Sequence, residues 1–329
     1  MKNNKKGISL IIIIFSVIIV LVCATGLVIF LNKSNDNTNA NNETENQINN
    51  QQNAEKEEVS QESKYTKEYL LSLPESPIED FDYETINDDT EMWITGYNGS
   101  DEIIVIPNEI EGKKVTRLGA ANSWSSIDHG NTTCKAVVLN KDLKIVGVKS
   151  FYNWDINTIL FNDGLEKIYS DSFTSTNIEI LEIPDSVTNI GELAFSSTKN
   201  LKKIKFPNNK TCEYGASCFA YSGIEEVIFP ANLKSDYVLF ISCNNLKKIV
   251  IEDGNTYIND FYLCNSIEEI TIPASVTKIN KSIVSGYNVG IGEITEDDAY
   301  TNSLLIKCEK GSYAEQFANE NNLKIEYIK

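Results

Sequence analysis

The chain is expected to be a solenoid of short, mostly parallel β-strands, carried outside a membrane by one N-terminal transmembrane helix and a disordered tether. Three observations lead there. Related heptads, LKKIKFP at 201–207, IEEVIFP at 224–230, LKKIVIE at 246–252 and IEEITIP at 267–273, recur at intervals of 23, 22 and 21 residues. A fixed period in that range is the signature of stacked structural repeats. An unbroken apolar run extends from Ile8 to Leu31, and residues 34–63 consist largely of Asn, Gln and Glu, which offer almost nothing to bury.

The N-terminal elements follow from length and charge. Lys2, Lys5 and Lys6 precede the apolar run, which at about 1.5 Å per residue reaches about 36 Å and crosses a hydrocarbon core of about 30 Å with some tilt. The lysines are expected to stay in the cytoplasm, leaving the remainder extracellular. A cleaved signal peptide has a shorter apolar region, about 7 to 15 residues, ending at a small-residue site. Here Ala24, Thr25 and Gly26 are followed by more apolar residues, Leu27 to Leu31, so the run is expected to persist as an anchor. Residues 1–33 are therefore the cytoplasmic lysines and signal-anchor, with membrane contact through 8–31. Residues 34–63 form a tether with a reach of about 30 Å. Residues 64–92 hold a short helix in YTKEYLLSL, stopped by Pro74, and a lead-in segment; 93–290 are the repeat array and 291–329 a C-terminal cap.

Repeat units begin at Asp101, Cys134, Ile156, Ile178, Leu201, Ile224, Leu246 and Ile267. Three places along stand Ile104, Val137, Ile159, Leu181, Ile204, Val227, Ile249 and Ile270, and five places along stand Ile106, Leu139, Phe161, Ile183, Phe206, Phe229, Ile251 and Ile272. Alternation with period two marks a strand with one buried face. Pro107, Pro184, Pro207, Pro230 and Pro273 close five of these strands, because proline lacks the donor that a ladder needs. A second apolar set follows, seen in Val187, Ile190 and Phe195, in Leu165, Ile168 and Phe173, and in Leu143, Val146 and Phe151. One such unit cannot bury its own face, so neighbours must stack, with parallel strands about 4.8 Å apart. Stacking explains the alternating charges: Lys202 and Lys203, Glu225 and Glu226, Lys247 and Lys248, and Glu268 and Glu269 form a structural charge ladder. Opposite charges across strands contribute about 0.2 to 1 kcal/mol each and oppose slippage of register.

The pattern L-x-x-I-x-[IF]-P-x-x-V-x-x-I-G-x-x-A-F, clearest at LEIPDSVTNIGELAF (181–195), resembles the BspA-type leucine-rich repeats of bacterial cell-surface proteins. The opening piece at 93–119 is similar to that family's first unit, and GSYAEQFANENNLKIEYI at 311–328 to its closing helix and strand. The resemblance implies a leucine-rich-repeat solenoid, a right-handed horseshoe with a C-terminal helix-strand cap. It also implies roles in adhesion and protein binding. Departures lie at 235–243 and 255–264, where the I-G-x-x-A-F stretch has decayed.

Chemistry is sparse. The net charge of −18 argues against nucleic-acid partners, which need clustered Lys and Arg. Arg117 is the only arginine and His129 the only histidine, which removes most general-base and metal chemistry. Ser275 and Lys278 match S-x-x-K, but no K-T-G or S-D-N accompanies them. Gly290 and Gly292 lack the third glycine and basic partner of a phosphate loop. No C-x-x-C exists among the cysteines; Cys243 and Cys264 fall in one phase of the repeat, where stacked neighbours are either buried thiols or a disulfide. No catalytic, cofactor or metal residue and no small-molecule substrate is therefore expected.

Above the scaffold stands one surface feature. Outward positions of the first four units are Ile103, Val105, Ala136, Val138, Thr158, Leu160 and Ile180, with only Glu182 charged. Contiguous exposed aliphatics mark either a contact site on the concave face or a surface covered by another part of the chain, here residues 64–92. The expected function is a non-enzymatic, membrane-anchored surface protein that binds an extracellular protein or glycan. The alternatives are a structural envelope or assembly protein and, less favoured, an extracellular hydrolase.

Overall fold

The computed structural model describes residues 64–119, 133–209, 211–231, 233, 237–283 and 304–328. The chain divides into two units, Met1–Lys64 and Tyr65–Lys329, and the architecture below is that of the second. The expected anchor at 8–31 and tether at 34–63 lie outside the described residues. Among the described residues, no helix is long and apolar enough to cross a membrane.

Helix α1 (Lys67–Leu71) leads to a hairpin of β1 (Phe81–Ile86) and β2 (Glu91–Tyr97), paired antiparallel. The first coil holds β3 (Ile103–Val105), β4 (Glu109–Ile110) and β5 (Lys113–Leu118). Successive coils carry β6 (Ala136–Val138) with β7 (Ile145–Val146), β8 (Thr158–Leu160) with β9 (Lys167–Ile168), and β10 (Ile180–Glu182) with β11 (Asn189–Ile190). Next come β12 (Lys203–Lys205) with β13 (Glu213–Tyr214), and β14 (Glu226–Phe229) with β15 (Phe240–Ile241). The last coils hold β16 (Lys248–Ile251), β17 (Tyr257–Ile258), β18 (Phe261–Tyr262), β19 (Glu269–Ile272) and β20 (Lys278–Ile279). The cap is β21 (Leu305–Cys308), α2 (Tyr313–Glu320) and β22 (Lys324–Tyr327). Strand β2 crosses residue 93 and pairs in parallel with β5, so the hairpin is continuous with the array.

The expected columns stack in register, for example Leu181 on Ile204 and Val227 on Ile249. All sixteen column residues are buried except Ile159, Phe161 and Ile204, which are partly buried against the same core. Behind them the phenylalanine plugs form a continuous spine. Phe151, Phe173, Phe195, Phe219, Phe240 and Phe261 stack with centroid separations of 5.2, 5.2, 5.8, 5.3 and 5.2 Å, within the range that aromatic pairs favour. Phe240 and Phe261 belong to the two stretches where the sequence motif has decayed, so the plug outlasts the motif around it.

The motif's glycine has a steric cause. A Cβ on Gly191 would lie 2.4 Å from Ser170 N, and one on Gly215 2.4 Å from Glu192 N; the backbones of adjacent coils approach too closely for a side chain. The buried corners are satisfied by side-chain amides that the sequence reading missed. Asn140 Nδ2 donates to Pro107 O and Val115 O at 2.9 and 3.1 Å, and Asn162 Nδ2 to Leu143 O at 3.0 Å. Carbonyls buried at a turn need such donors.

Cys243 and Cys264 occupy a column shared with Thr176 and Thr198, three residues after each phenylalanine. Thr176 and Thr198 donate to Phe173 O and Phe195 O at 2.9 and 2.8 Å, and the thiols of Cys243 and Cys264 reach Phe219 O and Phe240 O at 3.3 and 3.6 Å. Both cysteines are buried free thiols.

Candidate interaction face

Each coil contributes only two or three outward side chains, so the face opposite the core is narrow and its chemistry is set column by column. In the first three coils Ile103, Ala136 and Thr158 align, as do Val105, Val138 and Leu160. The chain itself covers them. Thr66 caps α1 by accepting from Tyr69 N at 3.2 Å, and the helix sets Leu70, 1% exposed, into a cluster with Ala136 and Val138. Tyr65, Leu73, Ile103, Val105 and Leu160 pack around it. The strap then joins the sheet edge: Ser76 N donates to Val105 O at 2.9 Å, Val105 N donates to Ser76 Oγ at 3.1 Å, and Glu75 accepts from Asn108 N at 3.1 Å.

This corrects the expectation of an open contact patch. Ala136 is 0% and Val138 5% exposed, Ile103, Val105, Thr158 and Leu160 are half-buried, and only Ile180 remains open, at 56%. Of the two causes that the sequence allowed for the aliphatic columns, coverage by residues 64–92 is the one present. The apolar area is removed from water by the strap, as the hydrophobic effect requires.

Beyond Leu160 the face is uncovered, and its sheet is interrupted. Strands β3, β6 and β8 form one sheet, β10 and β12 a second, and β14, β16, β19, β21 and β22 a third. The partly buried column residues sit beside these breaks: Ile159 and Phe161 on or next to β8, Ile204 on β12. At the break between β12 and β14 lies a groove of about 610 Å³, lined by Ile180, Lys203, Ile204, Lys205, Glu226 and Ile228 among others. A second hollow of about 560 Å³ at the strand ends shares Ile204, Lys205 and Ile228 with it.

The break also splits the charge ladder. Lys202 pairs with Glu179 at 3.4 Å and Lys248 with Glu226 at 3.0 Å, while Glu269 pairs with Lys307 of the cap at 2.9 Å. Among the described residues, Lys203, Glu225, Lys247 and Glu268 form no ion pair, and Lys203 and Glu226 are not in ladder register because β12 and β14 are not bonded. The ladder is therefore two segments rather than one run.

Elsewhere the chemistry is structural. Ser275 Oγ accepts from Gly254 N at 3.0 Å and Lys278 Nζ lies 4.4 Å from the Tyr257 ring centroid, so the S-x-x-K pair serves the stacking of coils. Gly290, Gly292 and His129 lie outside the described residues. Asp260 is buried, and desolvation pushes its carboxyl up to about 7. Among the described residues, no three His, Cys, Asp or Glu side chains are placed to hold a metal ion.

The profile of the BspA type leucine rich repeat region matches residues 129–237 and 235–291, with six copies. The chain belongs to the BspA-type leucine-rich repeat family. The family is one of leucine-rich repeat proteins. A search of curated proteins gives no match. Among solved structures, a T. pallidum leucine rich repeat protein, TpLRR, is 18% identical with a TM-score of 0.45, covering 77% of this chain and 98% of that one. The pneumococcal vaccine antigen PcpA is 15% identical with a TM-score of 0.41, covering 78% and 99%. A leucine rich cell surface protein from Faecalibacterium prausnitzii is 16% identical with a TM-score of 0.38, covering 78% and 96%.

Proposed function

We propose that this chain is a non-enzymatic, membrane-anchored surface protein: residues 8–31 hold it in the membrane, residues 34–63 tether it, and the repeat array presents an extracellular face to a protein partner. The observation that supports binding is the uncovered stretch from Ile180 to Ile228. The strap shields the apolar columns of the first three coils, yet Ile180 and Ile228 stay 56% and 54% exposed on either side of the broken sheet. Paired exposed aliphatics beside a groove favour a protein partner over a glycan, since the outward positions of β10, β12 and β14 carry no aromatic side chain for sugar stacking.

The test uses intact cells. Protease added outside is expected to release a soluble fragment beginning within 34–63, and release only after lysis would overturn the orientation. Carbodiimide cross-linking followed by mass spectrometry is expected to attach a partner protein to the uncovered face. Recovery of the chain with no cross-linked partner would leave a structural envelope protein as the better reading.

A further inference from the structure

The column three residues after each phenylalanine plug changes chemistry along the array. Thr176, Thr198 and Ser222 are followed by Cys243 and Cys264, and all five are buried. Two cysteines in consecutive coils can do what the hydroxyls cannot, which is to bond to each other. Their alignment is fixed by β15 and β18, in which Phe240 pairs with Phe261 and Ile241 with Tyr262, and Ser242 N still donates to Tyr262 O at 2.8 Å. The same register sets Cys243 beside Cys264. Neighbouring parallel strands are about 4.8 Å apart, inside the roughly 4.4 to 6.8 Å between Cα atoms that a disulfide spans. The two sulfurs are in contact, the Cys264 thiol donating to Cys243. Cys218 has no such neighbour, since Ala194 and Leu239 precede the adjacent plugs, and Cys308 pairs with Ile272 and Tyr327.

Two further observations suit this pair to oxidation. Cys243 receives the Cys264 thiol, with the Ser222 hydroxyl 3.3 Å away, and these donors hold its pKa below that of an ordinary thiol despite full burial. Burial instead pushes the thiols of Cys134, Cys212 and Cys218 up, and the thiolate is the form that attacks. The sheet supplies the opening. On the side of the second strands, β5, β7, β9, β11 and β13 belong to one eight-stranded sheet, whereas β15 and β18 form a two-stranded sheet, as do β17 and β20. Two short strands open more readily than a continuous ladder.

We infer that Cys243 and Cys264 are a modification site, an inter-coil disulfide that forms on exposure to a disulfide oxidant and staples the coils of β15 and β18 where their own sheet is reduced to two strands. The Cys243 thiolate attacks one sulfur of the oxidant and expels the other as a thiolate; Cys264, giving up its proton, then attacks Cys243 Sγ and expels the second. Two protein thiols become one disulfide, the oxidant is reduced to two thiols, and the two protons pass to the leaving sulfurs. The inference does not depend on the binding role proposed above.

The test uses the full chain, purified reduced in a mild detergent and incubated folded with oxidised glutathione. Alkylation with N-ethylmaleimide in denaturant, digestion and mass spectrometry are expected to find Cys243 joined to Cys264 and the other cysteines alkylated. Amides of β15 and β18 should exchange more slowly in the oxidised chain, by about tenfold or more, and dithiothreitol should restore the original rates. In Cys264→Ser the reaction should stop at glutathione on Cys243; circular dichroism checks that this variant folds, and the exchange experiment needs no variant. Alkylation of Cys243 and Cys264 to the same extent as the other cysteines, indiscriminate pairing among cysteines, a link that forms only in urea, or a link that leaves exchange unchanged would each overturn the inference.

Discussion

Replacing Leu70 with Ala should loosen the strap without unfolding the array. Leu70 is the fully buried side chain of α1, and it enters a cluster made of small and medium residues, Ala136 and Val138 with Leu73 and Leu160 at its margin. A buried Leu→Ala change costs about 2 to 5 kcal/mol. The lower part of that range applies because the strap lies at the surface and can settle onto the vacated space, so the loss is about 2 to 3 kcal/mol. Each 1.4 kcal/mol is tenfold in an equilibrium, which gives an increase of about 30- to 150-fold in the open fraction of the strap. Amide exchange followed by mass spectrometry reads this directly. The N–H of Leu70, held by Thr66 O at 2.9 Å, and that of Ser76, held by Val105 O at 2.9 Å, should exchange faster by about that factor, while the amides of β16 and β19 keep their rates. Uniform acceleration along the chain would show that strap and array open as one unit. No acceleration at all would show that Leu70 does not hold the strap. Val138→Lys with Leu160→Lys should produce the same local opening, since both residues lie under or beside Leu70.

Phe195→Ala removes a ring stacked between Phe173 and Phe219 and should cost about 3 to 5 kcal/mol, read as a lower urea midpoint with a reduced stability of the whole array. Glu226→Lys places a like charge opposite Lys248 in an exposed pair; a loss of about 1 kcal/mol is expected, shrinking in high salt, whereas a salt-insensitive midpoint would contradict the stacking. Asp260 keeps its proton to about pH 7 in the folded chain but releases it near 3.9 when unfolded. Its contribution is therefore fully present below about pH 4 and is lost as pH rises to about 7, a change of about 4 kcal/mol. Asp260→Asn should flatten that part of the stability-pH curve and raise stability at pH 7.5; an unchanged curve would mean the carboxyl is not desolvated.

Sequence made the stacking legible because strand alternation and coil period act together. A residue such as Ile249 is fixed twice, by its place in the strand and by Val227 and Ile270 one coil away. The phenylalanine spine was legible for the same reason up to Phe195. The strap was only half legible: the aliphatic outward columns demanded a cover, and YLLSL could supply one, but nothing in either stretch decides between that helix and a foreign protein. The broken sheet was not legible at all. Lys202 and Lys203 continue the charge alternation that suggested a regular ladder, and the spacing of a few tenths of a nanometre that makes or breaks the β12 to β14 bonds leaves no mark on which residues alternate. The corner amides of Asn140 and Asn162 escaped as well, because asparagine is equally at home in any solvent-facing turn.

The strap and the break together decide where this face can meet another molecule. In an unbroken stack every outward side chain has neighbours about 4.8 Å above and below, so opposite charges neutralise one another and aliphatics pack on aliphatics; the face is chemically quiet. It becomes available only where that mutual satisfaction ends. Helix α1 rises about 7.5 Å over five residues, less than two coil steps even if laid straight across the strands, so Leu70 and its flanking residues shield the columns to Leu160 and leave Ile180 uncovered. At β12 the ladder stops, and Lys203 loses the partner that Glu226 would give it in register. Cover ends and the ladder breaks within the same short stretch, β10 to β14, which leaves the exposed aliphatics Ile180 and Ile228 among charged groups of both signs for a reason that lies in the stacking itself.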